Sequence, residues 1–244
     1  MVNGIRKVLT DTVSIASYSS SDQLAEQLAA TVARELRDAV TERGVATLAV
    51  SGGSTPKAFF QALSRRELPW QHVIVTLVDE RWVDADHPAS NARLVAEQLL
   101  QNRAHKARFM PLKNSSETPF DGVNEVEQSL QELPLPFDVV VLGMGDDGHT
   151  ASFFPQADNL EEVLDMEGER LCLPTTPPVA PHDRMTLSLP AVLNCRFLAL
   201  HFEGSNKWRV FQKALGMASQ ASYPVSAVLR QNKVPVNLFY TGES

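Results

Sequence analysis

The sequence contains little cysteine: two residues, Cys172 and Cys195, in a chain of 244. They form no CxxC pair, and each lies in an apolar, strand-like segment without a histidine in register with it. A disulfide framework or a thiolate metal site requires paired or clustered cysteines. We therefore predict that both side chains are free, buried thiols.

Long apolar runs are missing as well. No segment approaches the roughly 18 consecutive apolar residues that a membrane-spanning helix requires. Near the N-terminus, the stretch from Val8 to Ala16 is interrupted by Thr10, Asp11, Thr12 and Ser14, so it lacks the apolar core of a secretory signal. These absences predict a cytoplasmic protein that has no membrane partner.

Positive charge is in the minority, with 22 Lys and Arg against 29 Asp and Glu and a net charge of -7. Broad binding to nucleic acid requires a basic surface. We therefore predict no nucleic-acid partner and expect any anionic ligand to be bound locally. No metal or cofactor is predicted, because the histidines lack metal-ligand spacing and the GxxxxGK[ST] nucleotide loop is absent. Five histidines are interpreted as structural or surface residues: His72, His87, His105, His182 and His201.

The composition that remains is ordinary for a globular protein, with 43% hydrophobic and 21% charged residues. Apolar runs alternate along the chain with amphipathic segments of helical spacing. The pattern predicts strands at Val13 to Ser17, Val45 to Val50, His72 to Val78, Phe137 to Leu142, Met185 to Leu189 and Phe197 to Phe202. It predicts helices from a serine-rich cap at 19–22 to about Val40, and at Pro56 to Ser64, Asn91 to Gln101, Glu125 to Leu133 and Ser205 to Leu215.

Continuous apolar strands that alternate with helices indicate an α/β fold. We predict a mostly parallel sheet with helices on both faces. The proline-rich stretch from Pro174 to Pro181 is flanked by strands and is interpreted as a structured loop rather than a linker. Residues 1–244 are therefore predicted to form a single domain.

A serine-glycine loop, residues Ser51, Gly52, Gly53, Ser54 and Thr55, lies between a buried strand and a helix that begins near a proline. Glycines allow close approach of an anion, hydroxyls donate hydrogen bonds, and a helix N-terminus presents free N–H groups. The loop is suited to a phosphate or a carboxylate. A glycine turn with a Ser or Thr cap is the alternative interpretation.

Charged residues follow the next strand. Asp79, Glu80 and Arg81 stand at its carboxyl end, where open α/β sheets bind ligands, and begin a polar loop that is predicted to reach Ser90. A solvated turn with a local salt bridge would account for them equally well.

The most informative segment is the run from Phe137 to Thr150, in which an apolar strand leads into Gly-Met-Gly-Asp-Asp-Gly-His. His149 can accept a proton near neutral pH, and a nearby acid such as Asp147 can orient it. The last glycine of the dinucleotide fingerprint GxGxxG is not matched. This loop is therefore a candidate for proton transfer rather than for dinucleotide binding.

Two isolated cations complete the candidates. Arg184 begins a predicted strand, and Lys207 lies at the start of a predicted helix after Gly204, Ser205 and Asn206. Either could reach an anion bound at the serine-glycine loop. From the residues alone, a surface charge is the simpler interpretation.

Taken together, these segments resemble the 6-phosphogluconolactonase family, of the glucosamine/galactosamine-6-phosphate isomerase superfamily. The resemblance covers nearly the whole chain and follows the family order. Its departures are Phe153 and Gln156, where the family tends to have Leu and Gly. The stretches that carry it are Ser51 to Pro56, Val78 to Trp82 with Asp86, His87, Ser90 and Asn91, Gly143 to Ser152, Arg184 to Leu187, Gly204 to Lys207, and Pro224 to Ala227.

The resemblance implies a Rossmann-like fold shared with glucosamine-6-phosphate deaminase and ribose-5-phosphate isomerase. It implies that the serine-glycine loop, Arg184 and Lys207 bind a substrate phosphate and that His149 is the catalytic base. The expected reaction is hydrolysis of 6-phospho-D-glucono-1,5-lactone to 6-phospho-D-gluconate, a step of the oxidative pentose phosphate pathway. The only expected partner is this lactone, bound by a monomer or a small homo-oligomer.

Within this hypothesis, His149 activates water, with Asp147 or Asp79 orienting the imidazole or the substrate hydroxyls, and Arg81 or loop N–H groups stabilise the oxyanion. One alternative is a glucosamine-6-phosphate deaminase, but these enzymes resemble the chain less because they carry Asn-Glu-Pro where Thr150 to Pro155 has no acid. The other is a non-catalytic sugar-phosphate sensor, a class that usually has an attached output domain.

Overall fold

The computed structural model describes residues 5–8, for which only the backbone is described, and residues 12–216 and 219–242. Within them, the strands are β1 (Ile5–Val8), β2 (Val13–Tyr18), β3 (Ala46–Val50), β4 (Val73–Leu77), β5 (Asp79–Arg81), β6 (Arg108–Phe109), β7 (Phe137–Leu142), β8 (Cys172–Thr175), β9 (Arg184–Leu187), β10 (Cys195–Glu203) and β11 (Val236–Thr241). The α-helices are α1 (Ser21–Arg43), α2 (Lys57–Ser64), α3 (Asn91–Gln98), α4 (Pro119–Gln131), α5 (Leu160–Leu164), α6 (Leu189–Leu193), α7 (Ser205–Gly216) and α8 (Val225–Arg230). Short 3-10 helices span Trp70–His72 and Asn102–Lys106.

The main sheet has the strand order β1-β2-β11-β10-β7-β3-β4-β6. Its neighbouring strands are parallel, except that β1 pairs with β2 in the antiparallel direction. Every residue of β3 and β7 is buried, so both faces of these central strands are covered. The predicted α/β class with a mostly parallel sheet is confirmed.

A buried carboxylate fixes the register between β3 and β7. Asp138 accepts hydrogen bonds from the amide of Thr47 at 2.8 Å and from Arg43 at 2.6 Å. In return, the amide of Asp138 donates to the hydroxyl of Thr47 at 3.0 Å. A one-residue slip would break the hydrogen bonds between this buried carboxylate and Thr47, which is unfavourable.

A second sheet corrects the prediction of a polar loop from Asp79 to Ser90. Residues Asp79–Arg81 form β5, and an antiparallel sheet of order β5-β9-β8 follows. Val78 lies at the junction: its amide donates to Val50 in the main sheet, and its carbonyl accepts from Leu187 at the end of β9. Three charged residues carry no strand signal, and the pairing with β9 decides their conformation.

The predicted strand from Met185 to Leu189 belongs to this small sheet and ends at Leu187. Ser188 then caps α6, because its hydroxyl accepts from the amide of Ala191 at 3.3 Å. The predicted helix from Glu125 to Leu133 begins earlier, at Pro119, where the hydroxyl of Thr118 accepts from the amide of Asp121. The N-cap residue and the proline at the first helical position were the sequence signals for that start.

The other predicted elements are confirmed to within a few residues. In α1, the apolar positions at helical spacing are all buried: Leu24, Leu28, Val32, Leu36 and Ala39. Buried apolar residues from both sheets contribute to one core cluster. The assignment of residues 1–244 to one domain stays a prediction. None of the helices in the described residues is both long enough and apolar enough to cross a bilayer.

The two departures from the family pattern have different structural consequences. Phe153 is fully buried, so its larger side chain is accommodated in the core. Gln156 has a φ of 64°, in the left-handed region that favours glycine. The family preference for glycine at this position therefore has a backbone cause.

Replacing Gln156 with glycine is expected to raise the free energy of unfolding by roughly 0.5–1 kcal/mol, because relief of the left-handed strain exceeds the added chain entropy. Chemical denaturation measures this value. The matched control is Gln128→Gly in the exposed part of α4, which should lower stability by about 1 kcal/mol. A Gln156→Gly variant that loses as much as the control would refute the strain argument.

Candidate active site

A cleft of about 220 Å³ lies at the carboxyl ends of the central parallel strands. Segments that follow β3, β4, β7 and β10 meet there. The predicted site residues that line it are Ser51, Gly52, Gly53, Ser54, Thr55, Asp79, Arg81, His149 and Lys207. Asp147 and Arg184 do not line the cleft. Asp147 hydrogen-bonds to His149, and Arg184 lies opposite Arg81 in the second sheet.

The serine-glycine loop is joined directly to the loop that carries His149. The amide of Ser51 donates to the carbonyl of Val141 at 3.0 Å, and the hydroxyl of Ser51 accepts from the amide of Gly143 at 2.9 Å. At Gly52, a Cβ atom would lie 1.8 Å from the side-chain oxygen of Asn91, so only glycine fits. The loop is thereby fixed between two neighbouring segments before any ligand binds.

Asp79 and Asn91 form another part of the cleft wall. Asp79 is buried, and its carboxylate accepts from the hydroxyl of Ser152 at 2.7 Å. The Asn91 amide donates to the carbonyl of Asp79 at 2.9 Å, which links this wall to Gly52. Among the described residues no hydrogen bond joins Asp79 to His149, so Asp79, one of the two predicted partners of the imidazole, does not bond to it.

Glu80 has a structural position. Its buried carboxylate accepts from the hydroxyl of Ser90 and from the amides of Arg81, Asn91 and Ala92. Burial raises the pKa of Glu80 above its ordinary value, and these backbone hydrogen bonds oppose the shift. Glu80 therefore ties β5 to the start of α3 rather than facing the cleft.

The pair formed by His149 and Asp147 is the most specific chemistry in the cleft. The ring Nδ1 of His149 lies 2.5 Å from a carboxylate oxygen of Asp147, which also accepts from the amide of His149. The imidazole packs on Phe154 with ring centroids 4.7 Å apart. Burial raises the pKa of Asp147, but the hydrogen bond and charge of His149 outweigh it, so the pKa lies below its usual value.

Gly145 provides the space that this pair occupies. A Cβ atom there would lie 2.2 Å from Cε1 and 2.3 Å from Nδ1 of His149, and 2.7 Å from the carboxylate of Asp147. The amide of Gly145 also donates to the carbonyl of His149 at 2.9 Å. Glycine at this position therefore allows the loop to fold back under its own histidine.

Arg184 is a buried cation with unsatisfied hydrogen-bond donors. It is 4% exposed, and its Nε and one terminal nitrogen have no hydrogen-bond partner in the described chain. The register of β5 and β9 places Arg81 directly opposite it. Burial and, to a lesser degree, the charge of Arg81 lower the pKa of Arg184, against the opposing effect of Asp79. Such an arrangement is suited to binding an anion.

Lys207 lies in the first turn of α7, as predicted, and lines the cleft. β10, the strand that precedes α7, supplies a further lining residue, which was predicted to be a structural or surface histidine. His201 is 3% exposed, lines the cleft, and contacts Glu203 through Nε2 at 3.2 Å. A histidine at the carboxyl end of a central strand was the available signal.

The cysteines are free, as predicted; Cys172 is buried and Cys195 is half-buried. Burial raises the pKa of Cys195 to about 12 and also raises that of Cys172, so both are protonated near neutral pH. Within the described residues, no three His, Cys, Asp or Glu side chains form a group able to bind a metal.

Comparison with known proteins identifies the family. The model of the family described as "Glucosamine-6-phosphate isomerases/6-phosphogluconolactonase" matches residues 19–236. The chain is also 48% identical over 224 residues to the 6-phosphogluconolactonase of Mesorhizobium japonicum, covering 92% of this chain and 93% of that protein. The chain belongs to this family. The predicted resemblance is thus confirmed.

Solved structures of family members have the same fold. The crystal structure of a 6-phosphogluconolactonase from Shewanella baltica superposes with a TM-score of 0.92 at 47% identity, covering 96% of this chain and all of that one. A monomeric glucosamine-6-phosphate deaminase superposes with a TM-score of 0.76 at 18% identity, covering 94% and 97%. The predicted likeness to the deaminase fold is confirmed, whereas the likeness to ribose-5-phosphate isomerase stays a prediction.

Replacing Gly145 with alanine is expected to lower catalytic turnover by roughly 100-fold, because the new methyl group must displace the His149 ring or separate it from Asp147. Initial-rate kinetics on the phosphosugar lactone measures the loss. Gly143→Ala is the matched control, since its Cβ would meet Ser51 at an ordinary 3.7 Å. Equal losses in the two variants, at equal melting temperatures, would show that the space beside His149 is not critical.

Replacing Arg184 with methionine is expected to raise the melting temperature of the ligand-free protein by roughly 2–4 °C, because an unpaired buried charge is removed. Inorganic phosphate should stabilise the variant less than the wild type. The control is Arg103→Met, which removes an exposed ion pair with Glu67 and should change neither value. A less stable variant with unchanged phosphate binding would contradict this assignment.

Proposed function

We propose that this protein hydrolyses 6-phospho-D-glucono-1,5-lactone to 6-phospho-D-gluconate, the lactonase step of the oxidative pentose phosphate pathway. The observation that carries the proposal is the hydrogen bond between His149 and Asp147, because His149 lines the same cleft as the serine-glycine loop and Lys207. A proton acceptor and an anion site in one cleft suit a phosphorylated lactone. The lactonase names of close relatives support the same reaction.

His149 is the proposed general base. Because the carboxylate of Asp147 is ionised and accepts only, the short contact at 2.5 Å requires the hydrogen to lie on Nδ1. The Nε2 atom is then free to remove a proton from the water that attacks C1 of the lactone. The imidazolium next donates this proton to the ring oxygen as the C1–O bond breaks. Asp147 stabilises the cation between the two steps.

Arg81 is the proposed donor to the tetrahedral oxyanion. The loop amides of Gly143, Gly145, Gly148 and His149 already donate to protein acceptors, so they are poorly placed to serve. Arg81 lines the cleft and is the only one of the two facing arginines that does so. A donor of this kind typically contributes a few kcal/mol to stabilising the transition state.

The serine-glycine loop, Lys207 and Arg184 are proposed to bind the phosphate. The loop precedes the first turn of α2, so its amides and hydroxyls converge with the helix N-terminus. An anion would also compensate the buried charge of Arg184. Binding energy from the phosphate then positions the lactone ring against His149.

Asp79 is proposed to orient the substrate rather than the imidazole. One carboxylate oxygen accepts from Ser152, and the residue lines the cleft. Sugar hydroxyls are natural donors to such a buried carboxylate. The two predicted acids therefore have different proposed roles: Asp147 orients His149, and Asp79 orients the hydroxyls of the lactone.

The proposed steps use only side chains of this chain, without a metal or cofactor. We further propose that the protein works in the cytoplasm, as a monomer or a small homo-oligomer, with no nucleic-acid partner. Its two reduced cysteines and its negative net charge support this setting.

Acid release from freshly prepared 6-phosphogluconolactone, corrected for spontaneous hydrolysis, tests the function. Replacing His149 with alanine should lower turnover by about 10²- to 10⁴-fold, since the general base is lost, while phosphate binding persists. His72→Ala, at an exposed position, serves as the control. Wild-type turnover in the His149 variant would eliminate the proposed base, and ammonia release from glucosamine 6-phosphate would favour a deaminase.

A further inference from the structure

His201 stands out because it is a titratable side chain inside the cleft to which the proposed mechanism gives no role. It lies near the carboxyl end of β10, is 3% exposed, and lines the cleft together with the serine-glycine loop and Lys207. A histidine that only filled core space would not need to face the ligand cavity.

The imidazole is oriented by its neighbours. Residues 201 and 203 lie on the same face of β10, and Nε2 of His201 contacts the carboxylate of Glu203 at 3.2 Å. Glu203 also accepts from the hydroxyl of Ser21 in α1 at 2.5 Å. Phe59 of α2 packs edge-on against the ring, with centroids 6.4 Å apart. Two helices and a carboxylate thus fix the ring.

The contact with Glu203 determines which ring atom remains available. A carboxylate accepts only, so Nε2 of His201 carries a hydrogen. The Nδ1 atom makes no hydrogen bond to the residues that the structure describes. Because α2 begins directly after the serine-glycine loop and also holds Phe59 against the ring, the imidazole lies beside the loop that is proposed to bind phosphate.

Glu203 is the charged partner of His201 in this region. Burial raises the pKa of Glu203, but hydrogen bonds from His201 and Ser21 and the charges of His201 and Lys207 outweigh it, so the pKa lies below its usual value. Glu203 is thus a carboxylate that favours a cation beside it. His201 and Lys207 both line the cleft beside this carboxylate.

We propose that His201 is a phosphate-binding residue, which donates Nε2–H to Glu203 and Nδ1–H to a substrate phosphate oxygen. The inference rests on the proposed function and extends its phosphate site from the serine-glycine loop, Lys207 and Arg184 to the end of β10. Glu203 is then a positioning residue that acts through His201. His201 and Lys207, which both line the cleft, then bind the phosphate together.

Two substitutions at His201 separate binding from packing. His201→Phe keeps the ring shape but removes both donors, and His201→Gln keeps one neutral donor. The phenylalanine variant should raise KM for 6-phosphogluconolactone by about 10- to 100-fold, because one charge-assisted hydrogen bond to the phosphate is lost. Its kcat should stay within about threefold of the wild-type value. The glutamine variant should lie between the two. The exposed His72→Gln serves as the control for a histidine substitution.

Inorganic phosphate supplies a second readout that does not require lactone turnover. Its stabilising effect on the melting temperature should decrease in the order wild type, His201→Gln, His201→Phe. Because this series is measured without a lactone, it tests the inference even if the wild-type protein hydrolyses no lactone. That result would refute the proposed function alone.

Unchanged KM and unchanged phosphate stabilisation in both folded variants would overturn the inference. A fall in kcat with unchanged phosphate binding would do so as well, because it would place His201 at the reacting centre. If His201→Phe fails to fold, His201→Gln alone decides between these results.

Discussion

The pairing of β3 with β7 is the constraint on which the site depends. At the start of the pair, the buried carboxylate of Asp138 fixes the register through Thr47. At the other end, the hydroxyl of Ser51 accepts from the amide of Gly143. The serine-glycine loop and the histidine loop are therefore joined by the sheet and by a direct hydrogen bond, and their separation is set by backbone geometry rather than by flexible side chains.

Two glycines leave space in which functional side chains of the cleft pack closely. Gly52 leaves space for Asn91, which in turn bonds to the carbonyl of Asp79, and Gly145 leaves space for His149. The tight fit means that the walls of the cleft position one another before substrate binds. Such preorganisation reduces the entropic cost of bringing a water, a base and a lactone carbon together.

The site contains a buried charge that destabilises the ligand-free protein and that a bound anion would compensate. Arg184 is buried opposite Arg81, with two nitrogens that lack partners in the described chain. A protein selected only for stability would replace such a cation with an apolar side chain. A bound anion would compensate the charge of Arg184.

The sequence by itself determined the α/β class, most helices and strands, and the identity of the chemical segments, because hydrophobic periodicity and short motifs are local signals. Family membership was equally legible, since several ordered motifs rarely coincide. Local signals could not show that Asp79 begins a second sheet, because its pairing with β9 joins residues about one hundred positions apart. Nor could they choose Asp147 over Asp79 as the partner of His149, place Arg81 opposite Arg184, or bring His201 into the cleft. Those relations arise where strands distant in sequence end at the same edge of a sheet, and only the tertiary structure specifies that edge.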